Sequence, residues 1–65
     1  MILIGTLVHW HDPAINEYPK EDRDMLLDTI FKVADINDDE GPALIVCEED
    51  TSYSVEVYLS ELEEL

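Results

Sequence analysis

Met25-Leu26-Leu27-Asp28-Thr29-Ile30-Phe31-Lys32-Val33-Ala34-Asp35-Ile36 is the stretch on which the fold turns. At a helical period, Asp24, Asp28, Lys32 and Asp35 fall on one face, and Leu26, Leu27, Ile30, Phe31 and Ala34 on the other. Upstream, Pro19 and the acidic pair Glu21-Asp22 suit the first turn of a helix. As a strand, the same stretch offers the β-branched residues Thr29, Ile30, Val33 and Ile36, with Phe31 adding to the preference. It also runs into Asp35, Asp38, Asp39 and Glu40, negative charge that opposes a helix C-terminal dipole. Periodicity favours helix, the terminus favours strand, and both stay open.

On the N-terminal side, Ile2 to His11 reads as a strand. Ile2, Ile4, Thr6, Val8 and Trp10 share one face, and Leu3, Gly5, Leu7, His9 and His11 the other, with Gly5 marking a bend or bulge. Asp12 to Asp24 is a polar connection of thirteen residues that holds Pro13, Pro19 and Tyr18, and connections of that length are often functional. On the C-terminal side, Asn37 to Pro42 has turn chemistry, Ala43 to Glu48 is a short apolar strand, and Glu49 to Ser52 is a second turn. From Tyr53 to Ser60 the chain alternates: Tyr53, Val55, Val57 and Leu59 face in, and Ser54, Glu56, Tyr58 and Ser60 face out. This completes a hairpin. Ser60-Glu61-Leu62-Glu63 has the capping-box pattern of one terminal helical turn, after which Leu62 and Leu65 pack on the end of the core.

With residues 25–36 as a strand, the order is strand, long loop, strand, turn, strand, turn, strand, one-turn helix. That order resembles the SH3-like small-barrel pattern and implies an all-β barrel of 4-5 strands with a one-turn C-terminal helix. The resemblance spans roughly residues 2–65, rests on spacing alone, and carries no functional residues over. With residues 25–36 as a helix, the alternative is α+β: strand, helix, then hairpin, in two layers.

The 65 residues form one small acidic domain, residues 1–65, with 17 Asp and Glu against three Lys and Arg, a net charge of −14 and a pI near 4.1. A chain this short buries only about 60% of its unfolded surface. High charge opposes collapse, but 46% hydrophobic content argues against disorder. Self-repulsion should still destabilise the compact state, so added salt, or pH lowered modestly toward 5, is expected to stabilise the free protein. Cys47 is the single cysteine, so no internal disulfide forms, and no closed zinc motif is present. Homo-oligomerisation stays open as a way to enlarge the core. Met1 to Ile4 is apolar but lacks the basic flank of a signal peptide, and no apolar run reaches membrane-span length. The expected compartment is the cytoplasm.

The motifs that carry chemistry are few. His9 and His11 point to one side of a strand with Asp12 next in sequence, a spacing that can hold a divalent metal. The bland reading is two imidazoles at a strand end. Asp35 to Gly41 resembles a calcium loop, but glycine falls at the seventh position and Val46 at the twelfth, where the pattern needs glycine sixth and glutamate twelfth. Weak divalent-cation binding is the most it implies. Cys47 lies in the apolar run Leu44 to Cys47 and reads as a buried hydrophobe rather than a nucleophile. Gly5 and Gly41 are the only glycines, so there is no phosphate cradle, and no cofactor is expected. The chain reads as noncatalytic.

Charge says most about partners. From Val33 to Leu65 there are eleven acidic residues and no basic one. That half should repel nucleic acid and lipid headgroups and attract a basic protein surface. Duplex DNA carries one charge per about 1.7 Å, so fourteen charges match about 24 Å of duplex, close to the diameter of roughly 28 Å expected for a globule of this length. In size and charge the chain is similar in type to small phage-encoded inhibitors that block DNA- or RNA-handling enzymes. The expected partner-binding residues are Asp38, Asp39, Glu40, Glu48, Glu49, Asp50, Glu56, Tyr58, Glu61, Glu63 and Glu64. Two other readings are open. One is a protein-interaction module docking through Trp10, Tyr18 or Tyr58 with charge only steering the encounter. The other is a halophile's solvation surface. Trp10 is expected in the core.

Overall fold

The computed structural model describes residues 1–37 and 41–65. The deciding stretch divides between two elements. Helix α1, Lys20–Asp28, ends inside it, and strand β2, Phe31–Ile36, takes the rest. Both signals in the stretch are therefore real, and they belong to neighbouring segments. Pro19 is the N-cap, its carbonyl accepts the first bond from Arg23 N at 3.0 Å, and Glu21 and Asp22 lie in the first turn, where the helix dipole favours them. Asp24 and Asp28, four apart, repel each other and oppose the C-terminal dipole. Thr29 stops the helix: its hydroxyl donates to Met25 O at 2.6 Å and its N–H to Leu26 O at 3.1 Å. Nine residues make a marginal helix in water, so α1 depends on Leu26, which is buried in the core.

The remaining strands are β1 (Leu7–Trp10), β3 (Ala43–Cys47), β4 (Ser54–Val57) and β5 (Leu62–Glu64), with short 3-10 turns at Ile15–Glu17 and Leu59–Glu61. They form one antiparallel five-stranded sheet in the order β4-β3-β2-β1-β5, with α1 beside it. Among the described residues the sheet is not closed, so the class is a small β-rich sheet with one helix. The expected hairpin is the β3–β4 pair.

Three local expectations are corrected. The strand expected from Ile2 to His11 is confined to Leu7–Trp10, because the chain turns at Leu3–Thr6 with Gly5 at φ +94. The connection from Asp12 to Asp24 is not a long loop, since it contains a 3-10 turn and the first half of α1. The capping box at Ser60 does not form a terminal helix. A 3-10 turn ends at Glu61, whose side chain accepts Tyr58 N–H at 3.4 Å, and residues 62–64 add to the edge of β1. Pairing along β1 satisfies backbone groups that a single helical turn would leave open. Leu65, expected to pack, is exposed.

Two bulges keep the alternation in phase with the core. Gly5 N donates to Val33 O at 2.8 Å while Val33 N donates to Thr6 O at 3.0 Å, so two residues face one. On β2 the register shifts between Val33 and Asp35: Val33 pairs with Ile45, but Asp35 pairs with Leu44. Ala34 is the extra residue. Without the bulge, plain alternation would put Asp35 on the buried face of Val33; with it, Asp35 is exposed and Ile36 packs on the core.

The core joins Val8, Trp10, Leu26, Phe31, Val33, Ile45, Cys47 and Val57. Phe31 is its centre, meeting Trp10 edge-on at 6.2 Å and Tyr53 edge-on at 5.9 Å. Trp10 is in the core as expected, and its indole N–H donates to Glu61 Oε1 at 3.1 Å.

Candidate functional site

Every described carboxylate except Asp12 and Glu61 is exposed. Among the described residues, two of them lie near a cation, Glu64 by the N-terminus at 3.3 Å and Glu48 by Lys32 at 3.4 Å, and Glu63 lies 3.4 Å from His11 Nε2. Such exposed pairs are worth little. Arg23 does less for the surface field, because it is half-buried and its Nε is enclosed without a hydrogen-bond partner among the described residues. The negative field is therefore largely unneutralised.

The expected partner-binding residues do not form one patch. Glu56 lies on β4 at one end of the sheet, and Glu63 and Glu64 lie on β5 at the other. Glu61 is a structural group, holding Trp10 and the Tyr58 backbone, and its own carbonyl accepts His11 N at 2.8 Å. Tyr58 is 59% exposed, as expected. Asp38, Asp39 and Glu40 lie outside the described residues, and with them most of the calcium-like loop. Glu48, Glu49 and Asp50 form the β3–β4 turn. Asp50 Oδ1 accepts the Ser52 hydroxyl at 2.6 Å and Ser52 N–H at 3.1 Å. These bonds hold the Asp50 carboxyl below its usual 3.8. A lowered folded value stabilises above 3.8 and is lost as pH falls through it, so the turn keeps this charge under all ordinary conditions.

Acids from the two halves of the chain do converge at one end of the molecule, where α1 meets the β3–β4 turn. A groove of about 280 Å³ there is lined by Met25, Asp28, Thr29, Ile30, Cys47 and Glu49. Sharing Thr29 with it is a cleft of about 320 Å³ lined by Tyr18, Asp22, Leu26, Thr29 and Tyr53. Asp22, Asp28 and Tyr53 were not singled out by sequence. The alternation of β4 turns Tyr53 inward, but it stands just before the strand, where the interior is only partly covered, and it is 45% exposed.

Asp12 explains the cleft's second ring. It is 7% exposed, accepts Ala14 N at 2.8 Å on Oδ1 and accepts the Tyr18 hydroxyl on Oδ2. It is therefore committed to the turn after β1. His9 Nδ1 sits 3.1 Å from Thr29 O, and His11 faces Glu63. Among the described residues no group of three His, Cys, Asp or Glu is placed to hold a metal ion. Cys47 is buried as expected, and no described helix is long and apolar enough to cross a membrane. No family model, curated protein or solved structure matches the chain.

The bond to Asp12 also marks Tyr18 spectroscopically. Accepting that hydroxyl, with some desolvation and the nearby charge of Asp12, raises the Tyr18 phenol above its usual 10.0. A raised folded value stabilises fully below pH 10 and is lost as pH climbs through the folded value. Titration of tyrosinate absorbance should therefore show a last step above the usual phenol range. Tyr18→Phe is expected to remove that last step, and its survival in the variant would refute the assignment.

Proposed function

We propose that this chain is a noncatalytic acidic binding protein that occupies the basic, nucleic-acid-binding surface of a partner protein and inhibits or regulates it. The observation that carries this reading is the surface of carboxylates, exposed and mostly unpaired among the described residues, on a body of net charge −14. The body is 32 × 22 × 20 Å, so its charge is carried over a length similar to the duplex segment of equal charge, about 24 Å. Carboxylates on both ends of the sheet and on α1 suit a basic groove that wraps the molecule better than a flat patch. The finer fold reading, an SH3-like barrel, accompanies it: the observed order of strands and turns, and the bulges at Gly5 and Ala34 that bend their strands, support a curled sheet.

Immobilised protein should retain nucleic-acid-binding proteins from a cell lysate. Their apparent affinity should fall about a hundredfold between roughly 50 and 200 mM salt, and duplex DNA or RNA should compete them away. Retention that neither salt nor polynucleotide disturbs would sink the reading. The exposed Tyr58 beside Glu56 favours one alternative, an aromatic docking module. That reading requires salt-resistant retention that Tyr58→Ala abolishes.

A further inference from the structure

We infer that the cleft between Tyr18 and Tyr53 receives a single cationic side chain, arginine or lysine, from a basic partner; the assignment rests on the reading of this chain as a binder of basic proteins. The cleft's volume, about 320 Å³, is at the lower limit of small-molecule sites, which suits one long side chain. Its lining is chemically matched to that guest. Leu26 offers an apolar contact for a methylene stem, Asp22 supplies a carboxylate, and two phenol rings supply π-density. No basic residue lines it, so an anion has nothing to pair with there.

Both rings are held before any guest arrives. Tyr18 is tied through its hydroxyl to buried Asp12, and a phenol donating to a carboxylate has a more electron-rich ring. Tyr53 is fixed from behind by the ring of Phe31, edge-on at 82°, and by its backbone: Tyr53 N donates to Asp50 O at 3.0 Å and Tyr53 O accepts Cys47 N at 2.9 Å. A site ordered in advance loses little entropy on binding. The use of a buried carboxylate to position one exposed ring, and of the largest core ring to position the other, is what separates this cleft from the molecule's other grooves. The larger groove at the opposite end, lined by Met1, Ile2, Leu3, Ile36 and Leu59, is apolar and carries no such arrangement.

The test is an NMR titration of ¹⁵N-labelled protein with three capped tripeptides, Gly-X-Gly, in which X is arginine, lysine or citrulline. Citrulline keeps the shape of arginine and removes its charge. The expected result is shifts concentrated at Tyr18, Asp22, Thr29 and Tyr53 with the arginine or lysine peptide and none with citrulline. The two cationic arms decide which head group the cleft prefers. Tyr53→Leu should weaken binding about five- to tenfold. Asp22→Asn, an exposed substitution that leaves the core untouched, should weaken it about two- to threefold. Equal binding of citrulline, or cation-induced shifts centred elsewhere and indifferent to both substitutions, overturns the assignment. The second of these results would still leave the chain a binder of basic surfaces, whereas failure to retain basic proteins from lysate, with the peptide shifts intact, sinks the wider reading and takes from the cleft its basic partner.

Discussion

Phe31→Ala is expected to leave no stable folded state at 25 °C, seen as loss of near-ultraviolet ellipticity and of a cooperative melt. Phe31 is 0% exposed and touches the core from both sides, through Trp10 and Tyr53. Truncating a buried phenylalanine costs about 3–5 kcal/mol. A domain of this length has only about 3–10 kcal/mol in total, and the charge of −14 places this one toward the low end. The loss is therefore comparable with the whole stability. Phe31→Leu keeps most of the volume and should fold, with Tm lowered by about 5–10 °C. An alanine variant melting within a few degrees of the parent would mean that Phe31 is not the centre of the core. The leucine variant also removes the ring behind Tyr53, so it should weaken the arginine peptide while leaving the fold in place.

Phe31 also shows how much of this fold could be read from sequence. The residues of 25–36 carry a helical period and a β-branched bias together, and one sequence offers no way to see that the boundary falls between Asp28 and Phe31. Side-chain chemistry at the ends was the better guide. Pro19 with Glu21 and Asp22 marked the start of α1, and the acids after Val33 marked a segment that is not helix. The β3–β4 hairpin was legible because its apolar and polar residues alternate over two strands with a turn between them. Strand β5 was not, because three residues containing two glutamates have no strand signal of their own; they are held by the edge of β1. The bulge at Ala34 is visible in sequence only as a fault in alternation, and its position shows only in the pairing of β2 with β3. The candidate site was legible as charge and not as place. The described acids of the C-terminal half are spread over both edges of the sheet and the β3–β4 turn, while the cleft is assembled from Tyr18 and Asp22, four apart, and Tyr53, which is distant from both in sequence. Asp12, read as a metal candidate because it follows two histidines, is instead the group that orders Tyr18.

Raising sodium chloride from about 10 mM to about 1 M is expected to raise the Tm of the free protein by about 10–20 °C, a stabilisation on the order of 1.5–3 kcal/mol. At the lower concentration the screening length is about 30 Å, comparable with the longest dimension of the molecule, 32 Å, so each carboxylate repels nearly all the others. At the higher one it is about 3 Å, and only adjacent charges still interact. Unfolding spreads the charges apart, so the repulsion weighs on the folded state more than on the unfolded one. Chloride is the right salt because sulfate would strengthen apolar burial independently. A Tm that stays flat or falls over this range would show that the compact state does not bear the charge as a single body. Salt should act in opposite senses on the free chain and on its complex: it relieves the self-repulsion that destabilises the one and screens the attraction that forms the other. A basic partner does locally what salt does globally, so the complex should melt above the free protein by the widest margin in dilute buffer, and that margin should close as salt is added. A halophilic surface gives the same rise for the free chain but no such margin, so measuring both melts in one salt series separates a charge that serves a partner from a charge that serves only solvation.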